Sequence, residues 1–294
     1  MKYVKFSSME QIFRKFSVFI LLQMICYNSV MAFQTKEYDI RDKQIFADVV
    51  KKLSPYKHLP TGQLVVKAGL LFVDAPYVAK TLEVNENEEL VVNLREFDCT
   101  TFVENCLALA LVSQKKNPDF NDFLKILKRI RYRNGVLKDY TSRLHYFSDW
   151  MYDNTKKNLL KNVAVSSNDT TVQFQVNYIS THPQSYPQLM KNSALIAKIA
   201  FHEKTISKRF AAYVPTFKEN LMQGEIQDGD ILGITTNING MDVKHVVMAY
   251  QQGGSLHILH ASQRYNKVLV SDETLEDYLR NDSRATGIVI RRPL

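Results

Sequence analysis

The chain has 294 residues, 45% of them hydrophobic and 23% charged, which excludes a disordered polymer and suits one large core or two modest ones. Its formal net charge of +8 is spread along the sequence rather than clustered, and no nucleic-acid reader motif stands beside the densest basic run, Lys128-Arg129-Ile130-Arg131-Tyr132-Arg133. That run reads as a solvated helix end. A mild positive excess fits an anionic substrate or an anionic cell-surface polymer better than a nucleic-acid partner.

At the start, Arg14-Lys15 precede an apolar stretch from Phe16 to Cys26, then polar Tyr27-Asn28-Ser29, then Val30-Met31-Ala32. This is the layout of a secretory signal peptide over residues 1–32. The apolar stretch falls short of the about 20 residues a membrane span needs. An uncleaved anchor is the alternative; a lipoprotein built on Cys26 is disfavoured by Ile25, where a small residue is wanted. The sequence therefore predicts an exported protein, periplasmic or secreted, without stable membrane insertion after signal removal. Residues 33–294 are expected to form a single elaborated domain.

Apolar spacing predicts helices over residues 39–53, 64–72, 97–112, 120–131, 144–160, 193–208 and 275–280. Alternation predicts strands over 90–94, 172–176, 230–234, 243–250, 256–260, 268–270 and 287–291, with Gly253-Gly254 as a hairpin turn. Helices first and a mostly antiparallel sheet after them give an α+β fold.

Beyond the leader, two cysteines remain, Cys99 and Cys106. Seven positions apart on one helix, they are separated by about 10 Å, too far for a disulfide. Cys106 shares a face with Phe102, Leu109 and Ala110 and reads as packing. Cys99 follows Asp98 at the helix start, where free N–H groups and the dipole favour a thiolate, and where Asp98 can cap. Two histidines follow on strand-like segments, in Lys244-His245-Val246-Val247-Met248 and Leu259-His260-Ala261-Ser262. A thiol, an imidazole base and a group that orients the base are the parts of a cysteine nucleophile site. From the residues alone, His245 and His260 are equally readable as hydrogen-bonded core histidines. His257 falls on the opposite face from His260, and His58 and His202 carry no motif and read as surface residues. No HExxH or CxxC spacing is present, so no metal or other cofactor is expected.

Phe97-Asp98-Cys99-Thr100-Thr101-Phe102-Val103-Glu104, Gly229-Asp230-Ile231-Leu232, Val243-Lys244-His245-Val246, Leu259-His260-Ala261-Ser262 and Ala75-Pro76-Tyr77-Val78 together resemble the NlpC-type, papain-like cell-wall cysteine hydrolases. Within them the chain is most similar to the N-acetylmuramoyl-L-alanine amidase-like branch, over residues 53–292. The resemblance implies a papain-like fold with the nucleophile helix packed on the sheet. It implies Cys99 as nucleophile, His245 as base, His260 as its orienting group, and Tyr77 with backbone N–H groups at the oxyanion. Its substrate would be a peptidoglycan fragment, 1,6-anhydro forms included, cut between N-acetylmuramic acid and L-alanine. Asp98, Arg143, His145, Tyr146 and Ser262 become candidates for the substrate groove, Arg143 as a cation for stem-peptide carboxylates. A helix start with aromatic packing is an equal reading of Arg143, His145 and Tyr146. His182 and Tyr186 are weaker groove candidates. The pattern departs where glycines flank the proline-tyrosine turn, here Ala75 and Lys80, and where a glycine follows the base-strand valine, here Val247.

Three other readings stand beside this one. An endopeptidase cutting between D-glutamate and the diamino acid would share the triad and differ in the groove. A catalytically inert muropeptide-binding protein would not need all three polar residues. A lipid acyltransferase would need an apolar groove or an anchor.

Overall fold

The computed structural model describes residues 37–163, 170–216 and 225–294. The expected signal peptide, residues 1–32, lies outside the described residues. Residues Ile40–Leu294 form one compact unit.

Helices α1 (Ile40–Leu53), α2 (Thr61–Leu70), α3 (Cys99–Ser113), α4 (Phe120–Arg131) and α5 (Phe147–Lys156) come first. Strands β1 (Leu160–Asn162) and β2 (Thr170–Val172) and helices α6 (Tyr178–Thr181) and α7 (Ser193–Ile206) follow. The rest is β3 (Ala211–Pro215), β4 (Ile231–Thr236), β5 (Val243–Gln252), β6 (Ser255–Ser262), β7 (Lys267–Val270), α8 (Leu275–Arg280) and β8 (Ala285–Pro293). The strands pair antiparallel in the order β2-β3-β8-β4-β5-β6-β7, with β1 added at β8. The α+β expectation holds.

The helical part is organised around α3, which is apolar on nearly every side and therefore buried on nearly every side. It packs on α1, α2 and α4 and on strands β5 and β6. Phe97, at its entry, sits edge-on to Phe72 and Phe102 with ring centroids 5.0 and 5.6 Å away. These rings fix where the helix begins, and so where Cys99 emerges. On the sheet side, Gly253 and Gly254 hold φ of +60° and +84° and turn β5 into β6, with Gln252 opposite Ser255. That tight turn sets the register that carries His245 and His260.

Several predicted elements end elsewhere, for identifiable reasons. Residues 90–94 form no strand. Leu94 donates its N–H to the buried Asp42 carboxylate at 2.8 Å and Val91 offers its carbonyl to Arg131 at 2.6 Å, so their backbone groups are satisfied by side chains rather than by a ladder. The helix expected from residue 144 starts at Phe147, because Arg143 bridges Tyr132 and Leu144 donates to the Arg131 carbonyl. Residues 160–162 leave that helix to pair with β8. The strand expected at 172–176 is instead Thr170–Val172, and β3 was not anticipated. The basic run at 128–133 is only partly a solvated helix end. Arg131 is 2% exposed and donates to Glu104 at 2.6 Å, and Arg133 pairs with Asp149 at 2.7 Å. Cys106 is packed in the core as expected.

Candidate active site

Asp98 is the N-cap of α3. Its carboxylate accepts the Thr101 N–H at 2.7 Å, and the Thr101 hydroxyl accepts the Asp98 N–H at 3.0 Å. This reciprocal cap fixes the first turn and leaves Cys99, the first helical residue, half-buried at the helix mouth. The Asp98 carboxylate is committed to that cap and does not line the cavity beside Cys99. The Thr100 hydroxyl stands 4.0 Å from the Cys99 sulfur, and the backbone of Val246, on β5, acts with it to favour the thiolate.

One residue before Val246 lies His245. Its Nε2 meets Nδ1 of His260, on the neighbouring strand β6, at 2.7 Å. The rings stand edge to face, centroids 5.0 Å apart. With Nε2 engaged, Nδ1 is the nitrogen of His245 left for other chemistry. Burial, and then the neighbouring His260 and Lys244, push His245 down to about 3, and burial pushes His260 down to about 4. Both rings are neutral at pH 7. Burial and the Asp98 charge push the Cys99 thiol up to about 11. The expected lowering of that thiol is therefore not met in the resting site: desolvation outweighs the donors directed at the sulfur.

The Pro76-Tyr77 turn is strapped between α3 and β7. Phe97 donates to the Pro76 carbonyl at 3.0 Å, Val78 donates to the Phe97 carbonyl at 2.8 Å, and Tyr77 donates to the Asn266 carbonyl at 3.0 Å. Tyr77 feels both Cys99 and Asp98, and burial with those charges pushes its phenol up to about 12. Its hydroxyl is thus a donor throughout the physiological range. Lys80, just after this turn, adopts φ +62°, the left-handed region that favours glycine.

Two openings flank His245. A cavity of about 180 Å³ is lined by Cys99, Thr100, His145, Tyr146, Tyr186 and His245 among others. A cleft of about 380 Å³ on the other side is lined by Lys244, His245, Ser262, Tyr265 and Tyr278 among others. Lys244 is ion-paired with Asp282 between them. Ser262 is in the cleft wall, its hydroxyl accepting the Tyr265 N–H at 3.3 Å. His145 reaches the Cys99 cavity with Nε2 on the Tyr140 carbonyl at 2.7 Å, and burial holds it down to about 3. Tyr146 lines the same cavity, but its hydroxyl is spent inside, donating to Glu203 at 2.7 Å and accepting the Ile179 N–H at 3.0 Å.

Arg143 does not join them. It is 5% exposed, with Glu83 at 3.0 Å and Glu88 at 3.2 Å, and lines neither the Cys99 cavity nor the cleft. Its charge is already answered by two carboxylates, so it anchors the 83–88 loop rather than a substrate carboxylate. His182 stacks on Tyr178 and bonds that residue's carbonyl at 2.9 Å. His257 bonds the Ser271 carbonyl at 2.9 Å, and His202 is half-buried rather than on the surface.

The family model for N-acetylmuramoyl-L-alanine amidase-like proteins (AmiA-like) matches residues 67–288, a span that contains Cys99, His245, His260 and Tyr77. The chain belongs to the N-acetylmuramoyl-L-alanine amidase-like family. Among solved structures, it is similar to an N-acetylmuramoyl-L-alanine amidase from Bacteroides uniformis, at 37% identity and TM-score 0.76 over 80% of this chain and 99% of that one. It is also similar to a Bacteroides fragilis protein that carries a provisional xylanase name, at 41% identity and TM-score 0.73 over 76% of this chain and 98% of that one. Protein LPG0564 from Legionella pneumophila shares the fold at 20% identity and TM-score 0.65, over 85% of this chain and 95% of that one. No curated protein matches the sequence. Glycoside hydrolysis ordinarily needs two carboxylates flanking the bond. Asp98, the neighbour of Cys99 in the chain, and Asp242, in the wall of the same cavity, are both engaged: Asp98 caps α3, and Asp242 accepts the Ser148 and Val243 N–H groups, each at 2.7 Å. Among the described residues, no helix is long and apolar enough to cross a membrane, and no group of three His, Cys, Asp or Glu is arranged for a metal.

Sequence reasoning missed Tyr278. From α8 it stacks on His245 with centroids 6.3 Å apart and meets His260 edge-on at 5.9 Å. Nothing local marks it, since α8 reaches the imidazoles only after folding back over β6.

Proposed function

We propose that the chain is a cysteine-dependent amidase that cleaves the amide between N-acetylmuramic acid and L-alanine in muropeptides, on an NlpC-type, papain-like scaffold. The observation that carries this reading is the 2.7 Å His245–His260 hydrogen bond beside a cysteine at a capped helix N-terminus. Membership in the amidase-like family supports the bond chosen.

In this reading the Cys99 sulfur attacks the lactyl carbonyl while its proton passes to Nδ1 of His245. No net charge enters the cavity. The attraction within the new pair offsets the burial that opposes either charge alone. His260 holds the imidazolium in line through Nε2, and neighbouring N–H groups and the neutral Tyr77 hydroxyl donate to the oxyanion. His245 then gives its proton to the leaving L-alanine nitrogen and the C–N bond breaks, leaving a thioester on Cys99. Water, activated by His245, adds to the thioester and releases the muramic carboxylate and the thiol. His145, Tyr146 and Tyr186 form the wall against which the substrate lies, and Ser262 belongs to the cleft beyond His245. The arginine-lysine flank and apolar core at 14–26 support export to the periplasm or beyond, where such fragments occur.

The test is mass spectrometry of defined muropeptides, reducing and 1,6-anhydro, after incubation with the mature protein or with Cys99→Ala. Free stem peptide beginning with L-alanine, plus the free sugar acid, is expected with the intact cysteine alone. Release of a dipeptide instead would assign the endopeptidase bond, and an unchanged mixture would move the protein to a binding role.

A further inference from the structure

We infer that Tyr278 is a positioning residue: its ring clamps the His245–His260 hydrogen bond against water and against rotation of His245. The inference rests on the catalytic reading of that pair but is tested apart from it.

The ring lies nearly parallel to His245, 24° between planes, and nearly perpendicular to His260, 86° between planes. One side chain therefore touches both members of the pair, stacking on one and meeting the other edge-on. Both geometries are favoured aromatic contacts. The imidazoles have no other aromatic neighbour among the described ring contacts. Tyr278 is itself held from behind, packed against the core cluster that contains Val247, Ile258 and Leu279. The helix that carries it is capped by Thr274, whose side chain accepts the Asp277 N–H at 3.1 Å. Just beyond that helix, Asp282 is ion-paired with Lys244, the residue before His245. The same short segment is thus tied to the base strand by charge and to the base itself by stacking.

The consequence follows from what the pair lacks. His260 reaches His245 through a single nitrogen–nitrogen bond. A single bond fixes a distance but leaves the ring free to swing about it. His245 also borders an open cleft of about 380 Å³, whose wall includes Tyr278. Without the ring, water from that cleft would compete for Nε2 of His245 and Nδ1 of His260, and the base would spend time out of line with Cys99. A misplaced base lowers the chemical step more than it lowers binding.

The experiment compares Tyr278→Phe and Tyr278→Leu with the unmodified protein. Without substrate, proton NMR follows the low-field signal of the proton shared by the two imidazoles. With muropeptide, steady-state rates give kcat and KM. The signal is expected in the unmodified protein and in Tyr278→Phe, and lost to exchange with water in Tyr278→Leu. Tyr278→Leu is expected to lower kcat about tenfold or more with KM within about threefold, and Tyr278→Phe to stay within about twofold. Should Tyr278→Leu fail to fold by circular dichroism, Tyr278→Met provides the same test with an unbranched side chain. A signal that survives loss of the ring, or a Phe variant as impaired as Leu, would overturn the clamp. The NMR arm holds even if no muropeptide is cut, so the clamp and the amidase reading can fail separately.

Discussion

Two polar centres sit on helix α3, little more than a turn apart, and they are built in opposite ways. At Glu104 the carboxylate is 2% exposed and accepts Arg131 at 2.6 Å and Trp150 Nε1 at 3.1 Å. The charges are matched, each oxygen is occupied, and nothing is left to react. At Cys99 the cavity is open, both imidazoles are neutral, and Nδ1 of His245 is unspent. The first centre spends its polar groups on holding α3 to α4 and α5. The second, in the proposed mechanism, keeps one nucleophile and one base in reserve. Burial alone therefore does not separate structural from chemical polar groups; these two centres differ in which of their own valences are already satisfied.

Breaking each centre should therefore damage a different property. Cys99→Ala is expected to lower turnover by at least about 10³-fold while changing unfolding free energy by less than about 1 kcal/mol, read from muropeptide assays and urea denaturation. Glu104→Ala should do the reverse. It leaves the Arg131 charge buried and unpaired, at a cost of about 3–5 kcal/mol in the same denaturation experiment. A Glu104→Ala protein as stable as the unmodified one would dissolve the contrast.

Within the reactive centre, His245→Ala should lose more activity than His260→Ala, because an orienting group is more replaceable than the base it orients. Equal losses would argue against those roles.

The contrast extends to acid. His145 is held at about 3 in the folded protein, below its ordinary value of 6.5. The unfolded chain therefore takes up that proton first as the pH falls, and stability attached to the neutral ring, fully present above pH 6.5, is lost on the way down to about pH 3. His145→Asn removes this dependence. The difference in urea midpoint between the unmodified protein and His145→Asn should be constant above pH 7 and shift in favour of Asn below about pH 6. A flat difference to pH 4 would mean that His145 is not held neutral by burial.

The smallest effect is expected far from both centres. Lys80→Gly, at φ +62°, should stabilise the fold by about 1 kcal/mol or less, visible as a small rise in melting temperature.

The reactive centre was far more legible in the sequence than the structural one. An N-cap announces itself within four residues, so Asp98-Cys99 could be placed at a helix start. Strand periodicity separates His260 from His257 by face, and the two-glycine hairpin signal joins the strand of His260 to that of His245. All of that is local. Glu104 and Arg131 are 27 positions apart on different helices, and no periodicity links them. In the sequence Arg143 is readable equally as a substrate cation and as part of a helix start, because its partners, Glu83 and Glu88, lie in an irregular loop whose path no pattern reveals. The thiol's resting state was misjudged for a related reason. The helix mouth is visible in sequence, but the protein packed around the sulfur, which pushes it up to about 11, is not.

The most direct test of the account is the intact mass of the protein quenched in acid during muropeptide turnover. A transient N-acetylmuramoyl thioester that maps to Cys99 is expected, with neither adduct nor product from Cys99→Ala. Product formed by Cys99→Ala at an undiminished rate, without an adduct, would contradict it.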